Sequence, residues 1–305
     1  MGVVVIVLAA AYGLVAGLLL PRAAYRLSVE PGRPWRDRCP RGHPLAGWLG
    51  PARCRATVAT HGPHSPGGPG GAGGGAGPHG PGGGGDAGGR GGHGGEAGAA
   101  PGWLPAAPAR PCAGHAYGRR AAPVALLTGA VCTALGSAVG ARPEVVAYAG
   151  LAPVLVLLGL VDRAVHRLPD VVTLPLAAAA AALLGAAALV PGGPGGPDGT
   201  GPSGSWRLAL LGGCALGAAY LVLFLVNPAG MGFGDVKLAL SLGVALGWYG
   251  WGVWATGAFL GFLYGALYGL VLVLRGSATR SQGFAFGPFM MAGALTGVLL
   301  GGFGA

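Results

Sequence analysis

Charged residues are scarce in this chain of 305 residues: only 9% are Asp, Glu, Lys or Arg. A typical soluble domain carries about a quarter. The five cysteines form no regular, even framework, so a disulfide scaffold is not indicated. Apolar sequence is abundant instead, with 52% hydrophobic residues and a mean hydropathy of +0.59. These values exclude an ordinary soluble domain and a disordered protein, and they predict a polytopic membrane protein.

Eight apolar runs approach the length of about 17–25 residues that a helix needs to cross a bilayer. They lie at 3–20, 123–140, 145–161, 171–190, 207–226, 236–250, 252–274 and 286–303. The ten-residue alternation typical of membrane β-barrels is missing. The sequence therefore predicts an all-α fold of about eight transmembrane helices. No basic residue precedes the first run, so we expect a retained first span rather than a cleaved signal peptide.

The chain divides into three parts by composition. Residues 1–20 are the first predicted transmembrane helix, 21–122 a long cytoplasmic loop, and 123–305 a membrane domain of seven helices. Within the loop, residues 61–110 are mostly Gly, Pro, Ala and His. Such a segment cannot bury enough apolar surface to offset chain entropy, so we predict a flexible insert.

The basic residues are distributed unevenly between the two sides of the predicted bundle. All but two of the 19 Lys and Arg residues fall in the odd-numbered connections, and the exceptions are Arg142 and Arg207. Because basic residues favour the cytoplasmic side, the long loop should be cytoplasmic and both termini outside. The same rule explains the net charge of +10 without nucleic acid as a partner.

Two acidic residues at predicted span ends are the main candidates for chemistry. Asp162 ends the third predicted span and Asp235 opens the sixth, both on the cytoplasmic side. Ionisable groups near membrane spans are costly and often functional. Two carboxylates a few Å apart can share one proton and act as general base and general acid, as in aspartic proteases. The alternative is structural: each Asp caps a helix or pairs with Arg163 or Lys237.

The residues around these carboxylates suggest supporting roles. Gly232 and Gly234 lack a Cβ and would let another segment approach Asp235 closely. Asp170 lies at the predicted start of the fourth span, with Thr173 three residues on, which is typical of a helix N-cap.

Three segments together resemble the type IV prepilin peptidases. Residues 161–175 (VDRAVHRLPDVVTLP) resemble the family's first active-site segment, and residues 232–238 (GFGDVKL) resemble its Gly-x-Gly-Asp motif. Residues 283–289 (GFAFGPF) are similar to its C-terminal signature. The resemblance extends from about 123 to the end of the chain.

The resemblance implies a membrane aspartic endopeptidase that removes the leader of prepilins or pseudopilins at the cytoplasmic face of the bacterial inner membrane. Asp162 and Asp235 match the catalytic pair, and proteolysis would need no cofactor. The matching motif residues that support them are Pro169, Asp170, Gly232, Gly234, Lys237, Gly287 and Pro288.

The N-terminal part departs from the family pattern. Pro21 stands where Asn is usual, and Ala125 stands where the family usually has Glu. We therefore expect the family's second activity, N-methylation with S-adenosylmethionine, to be lost. The family's two Cys-x-x-Cys pairs are also eroded, which favours loose cysteines without a metal. The alternative is a mixed Cys/His zinc site drawn from Cys39, His43, Cys54, Cys112 and His115.

Three alternatives stay open at this point. A presenilin-like protease shares Gly-x-Gly-Asp but would cut a substrate helix within the bilayer. A transporter or assembly scaffold would use the acids for pairing or proton relay. A serine protease is suggested only by Gly201-Pro-Ser203, with no His nearby on that side. The oligomeric state does not follow from the sequence.

Overall fold

The computed structural model describes residues 2–30, 32–54, 114–191, 203–228, 231–275 and 285–304. The regular elements in these ranges are all helices: α1 (Gly2–Leu27), α2 (Ala121–Val139), α3 (Glu144–Val165), α4 (Asp170–Ala188), α5 (Trp206–Val226), α6 (Phe233–Gly247), α7 (Trp251–Leu274) and α8 (Gly287–Gly304). The predicted all-helical class is confirmed. Seven of the helices, all except α6, are long and apolar enough to cross a membrane. The Gly-rich insert 61–110, Gly201 and Cys112 lie outside the described residues.

Close approach of helix backbones at small residues explains the pairing of neighbouring helices. A methyl group added to Gly17 of α1 would lie 2.6 Å from the Cα of Ala125 in α2. One added to Gly213 of α5 would lie 2.6 Å from Val244 of α6. Helix pairs in membranes commonly pack through such small residues, because they let the backbones come together.

The short helix α6 lies at the centre of the bundle. Its 15 residues include 11 that are buried, and it packs against α4, α5, α7 and α8. A helix surrounded by other helices need not match the bilayer thickness itself. The predicted span 236–250 therefore has the right position but starts three residues late, because the Gly-x-Gly-Asp motif forms the first turn of the helix.

Polar contacts join the helices at one end of the bundle. The Ser203 N–H donates to Glu144 Oε1 at 3.2 Å, and the Ser203 hydroxyl donates to the same oxygen. The Arg142 guanidinium donates to the Gly302 carbonyl at 3.0 Å. Ser203 is thus held by a carboxylate that begins α3. The chemistry discussed below lies at the opposite end, where α3 ends and α6 begins.

The two described ends of the long loop form a small lobe on the end of α1. Arg26 donates to the Gly47 carbonyl at 2.7 Å, and its guanidinium lies 4.5 Å from the centre of the Trp48 ring. The Cys54 N–H donates to the His115 carbonyl at 3.0 Å. Residues 54 and 115 are therefore adjacent in space although 61 positions apart in sequence.

Candidate active site

Asp162 and Asp235 lie in one cavity at the end of the bundle. The cavity has a volume of about 590 Å³. Both residues are nearly buried, with 4% and 8% of their surface exposed, and their carboxylates interact electrostatically. Asp162 is in the last turn of α3 and Asp235 in the first turn of α6. The fold thus brings together two acids that are 73 positions apart.

The Asp162 carboxylate is held by the start of α8. The Gly287 N–H donates to Asp162 Oδ2 at 3.1 Å. A helix N-terminus carries partial positive charge, and its first N–H groups have no partner within the helix. This contact therefore favours the ionised form of the carboxylate. A methyl group on Gly287 would lie 2.8 Å from the same oxygen, so the approach requires glycine.

The Asp235 carboxylate is held by its own helix start. Its Oδ2 accepts a hydrogen bond from the Gly232 N–H at 3.3 Å. The neighbouring Gly234 packs against Leu168, where an added methyl group would lie 2.9 Å from the Leu168 Cβ. Of the two glycines expected to permit close approach, Gly234 has this role, because Leu168 packs directly against it.

Asp170 does not cap α4, so the prediction of an N-cap is wrong. The N-cap residue is Pro169, and no side chain caps the helix start. The Asp170 carboxylate instead forms an ion pair with Lys237 at 2.7 Å. The Lys237 side chain is only 15% exposed, and its ammonium lies 4.8 Å from the Phe233 ring centre. The pair ties the start of α4 to α6, two residues beyond Asp235.

His166 lines the same cavity, and no sequence motif had singled it out. It follows α3 with a positive φ of 51°, and among the described residues it is the one non-glycine residue with this backbone geometry. Its side chain interacts electrostatically with Asp162. Residues held in this sparsely populated conformation concentrate at functional sites. A local sequence pattern does not reveal it, because the conformation is imposed by the turn from α3 into the Leu168–Pro169 segment.

A second cluster of reactive side chains lies in the lobe on α1. One donor atom each from Cys39, His43 and Cys54 can come within 4.8 Å of the others. The Cys39 sulfur lies 3.4 Å from His43 Nδ1 and 3.9 Å from the Cys54 sulfur. Burial raises the pKa of the Cys39 thiol, but hydrogen bonds involving the Arg41 backbone and His43 lower it to about 7. Two thiols and an imidazole at these distances suit a zinc ion.

Comparison with known proteins supports the sequence resemblance. Residues 149–274 match the type IV leader peptidase family, a stretch that includes both Asp162 and Asp235. The chain is 35% identical over 100 residues to a prepilin leader peptidase/N-methyltransferase of Bacillus subtilis, covering 33% of this chain and 39% of that protein. It is 28% identical over 186 residues to one of Burkholderia pseudomallei, covering 58% and 54%. The predicted family resemblance is confirmed.

The matches leave part of each relative unmatched. They cover between about two fifths and just over half of the length of these two relatives. No solved structure matches the chain.

Proposed function

We propose that the chain is a membrane aspartic endopeptidase that removes the leader of prepilins or pseudopilins, since residues 149–274 match the type IV leader peptidase family. The observation that carries the proposal is the pair of nearly buried carboxylates, Asp162 and Asp235, in one cavity. The family supports prepilin processing. The assignment of the two residues rests on their geometry and on the matched motifs.

The surroundings of the two carboxylates suggest how they divide the work. The Gly287 N–H at the start of α8 favours an ionised Asp162, which can act as the general base for the attacking water. Asp235 would then hold the shared proton and donate it as the general acid. Two like charges a few Å apart cannot both ionise easily, so one proton is retained between them.

The position of the cavity favours cleavage at the membrane edge. Asp162 lies three residues before the last residue of α3, and Asp235 is the third residue of α6. A presenilin-like enzyme would need to admit a substrate helix into the bilayer interior, whereas a leader peptide can reach a helix end from the aqueous side. The basic residues concentrate on the side of the cavity, which is the cytoplasmic side by the positive-inside rule.

Proteolysis by this pair needs no cofactor, and we propose a separate, structural zinc site in the lobe. Cys39, His43 and Cys54 would supply three ligands. We propose His115 as the fourth ligand, since its backbone carbonyl accepts from the Cys54 N–H and its imidazole interacts electrostatically with His43. Its side chain would have to turn toward the other three, whose donor atoms already lie within 4.8 Å of one another. A bound zinc would neutralise the thiolates and tie the two ends of the long loop together.

The proposal is tested by incubating the purified protein with a short prepilin and measuring the mass of the new N-terminus. We expect cleavage at the leader junction without further modification. Position 125 in α2 carries Ala where the family usually has Glu, and Ala125 is buried against Gly17 of α1. If the prepilin is not cut at that junction, the proposed peptidase activity is contradicted. An enzyme-dependent mass gain of about 14 Da on the new N-terminus would show that methyl transfer survives.

A further inference from the structure

A second cavity of about 390 Å³ is lined mainly by α2, α3, α6 and α8, and neither Asp162 nor Asp235 lines it. Its walls are almost entirely apolar and include Leu127, Val131, Leu155, Val156, Met291 and Leu295. The two hydroxyl groups that line it are already bonded, Tyr148 to the Ala245 carbonyl and Ser241 to the Leu238 carbonyl. The cavity wall therefore presents hydrocarbon along its length.

Two arginines line one end of this apolar groove. Arg119 precedes α2 and Arg163 lies in the last turn of α3, and both line the groove at the end of the bundle that carries Asp162. Both side chains are exposed, and neither forms a salt bridge with any of the described residues. No acidic residue lines the groove. The site thus combines a long apolar wall with uncompensated positive charge at one end.

The shape of the groove decides between a helix and a single hydrocarbon chain. The α3 residues that line it run from Tyr148 to Arg163, a length of about 22 Å at about 1.5 Å per residue. Over this length, 390 Å³ describes a long, narrow groove, and a helix about 10 Å across could not be enclosed by it. The dimensions suit a single hydrocarbon chain. One leaflet of the hydrocarbon core is about 15 Å thick, so the groove can hold a chain of that leaflet.

We propose that the groove binds an anionic phospholipid, with one acyl chain between α2, α3 and α8 and the phosphate between Arg119 and Arg163. Guanidinium groups bind phosphate oxygens through paired hydrogen bonds. A lipid with net negative charge complements the two arginines, whereas the cationic group of a zwitterionic lipid would face them. The lipid headgroup would lie next to the active site, since Arg163 follows Asp162 and Pro288, another groove residue, follows Gly287.

Native mass spectrometry of the delipidated full chain in detergent tests this binding without relying on proteolysis. Phosphatidylglycerol and phosphatidylcholine with identical acyl chains are titrated separately. We expect one molecule of phosphatidylglycerol to bind at least about tenfold more tightly. The double variant Arg119→Gln/Arg163→Gln should lose about thirtyfold in phosphatidylglycerol affinity, since each basic residue near an anionic lipid contributes about fivefold. Its affinity for phosphatidylcholine should change less than twofold.

Two further variants separate the groove from the charge. Arg120→Gln removes a neighbouring arginine that does not line the groove, and it should bind phosphatidylglycerol as the wild type does. Ala292→Phe places a ring at an exposed position of the groove wall, and it should weaken the binding of both lipids. Equal binding of the two lipids by the wild type would overturn the proposal. So would an unchanged preference in the double arginine variant, or wild-type phosphatidylglycerol affinity in folded Ala292→Phe.

Discussion

Asp162 and Gly287 are 125 positions apart in the sequence, yet the hydrogen bond between them sets the orientation of one candidate catalytic carboxylate. The sequence identified both residues, Asp162 as an acid at a span end and Gly287 as part of a family motif. It did not predict their contact, which depends on how α8 packs against α3. Sequence motifs therefore located the residues of the site, and helix packing determined which of their atoms meet.

At this contact we predict that Gly287→Ala strongly reduces cleavage. The added methyl group would lie 2.8 Å from Asp162 Oδ2 and must displace the carboxylate. Because a misplacement of about 1 Å can cost about a hundredfold in rate, we expect at least about a tenfold loss in kcat. Gly150→Ala in the same helix as Asp162 meets no atom within 4 Å, and it should remain fully active. Equal activity of the two variants would show that the Gly287 contact does not orient the carboxylate.

We also predict that Asp170→Asn reduces activity, because Asp170 pairs with Lys237, the only lysine of the chain. An N-cap would tolerate this change, since Asn caps as well as Asp. The Asp170 side chain is 65% exposed, so solvent weakens the pair and we expect an effect of about 1 kcal/mol, or about fivefold in kcat.

A double-mutant cycle checks this assignment. Asp170→Asn/Lys237→Met should be no slower than Lys237→Met alone, because the pair is already lost. Asp170→Glu, which keeps the charge, should recover most of the activity. Additive losses from the two single variants would mean that Asp170 and Lys237 act separately.

At the scale of the elements, the apolar runs predicted eight helices in the correct order, but not all of their ends. Helix α1 continues past Pro21 to Leu27, although the apolar run ends at Leu20. The extra residues are held by the lobe: the Arg22 N–H donates to the Gly50 carbonyl at 3.0 Å. Hydropathy shows only which residues can contact lipid. It could not predict this helix end, because the end is stabilised by polar contacts with residues distant in the sequence.

In the lobe, we predict that the cluster of Cys39, His43 and Cys54 binds zinc. The purified protein should contain about one zinc ion per chain by elemental analysis. Cys39→Ser and Cys54→Ser should each lose most of it, because each removes a thiolate ligand. Cys214→Ser changes an exposed cysteine in α5 and should keep the metal. Retention of zinc by both lobe variants would place the metal elsewhere.

At the scale of the whole molecule, two groups of polar residues lie at opposite ends of the helix bundle. Glu144 and Ser203 meet at one end, and the cavity with Asp162 and Asp235 lies at the other. The distribution of basic residues predicted which helix ends share a side. The burial of Glu144 was not foreseen, because a lone acid in a short polar turn looks exposed in sequence, and its partner Ser203 is 59 positions away.

The long insert should be dispensable for the molecule as a whole. The described residues on either side of it are already joined by the hydrogen bond from Cys54 to His115. Shortening a connection changes the closure entropy by only about 0.6 kcal/mol per halving. We therefore expect that replacing 61–110 with about 12 Gly and Ser residues leaves membrane insertion and cleavage near wild type. Loss of cleavage at normal protein levels would show that the insert binds something the reaction needs.

The central claim is that Asp162 and Asp235 together perform the cleavage, and paired Asp→Asn variants test it most directly. An amide keeps nearly the same shape but can neither activate water as a base nor donate a proton as a carboxylic acid. Prepilin cleavage by Asp162→Asn and by Asp235→Asn is measured by mass spectrometry at matched levels of membrane protein. We predict that each variant is inactive while inserting normally. Wild-type cleavage by either variant would contradict an aspartic mechanism at this site.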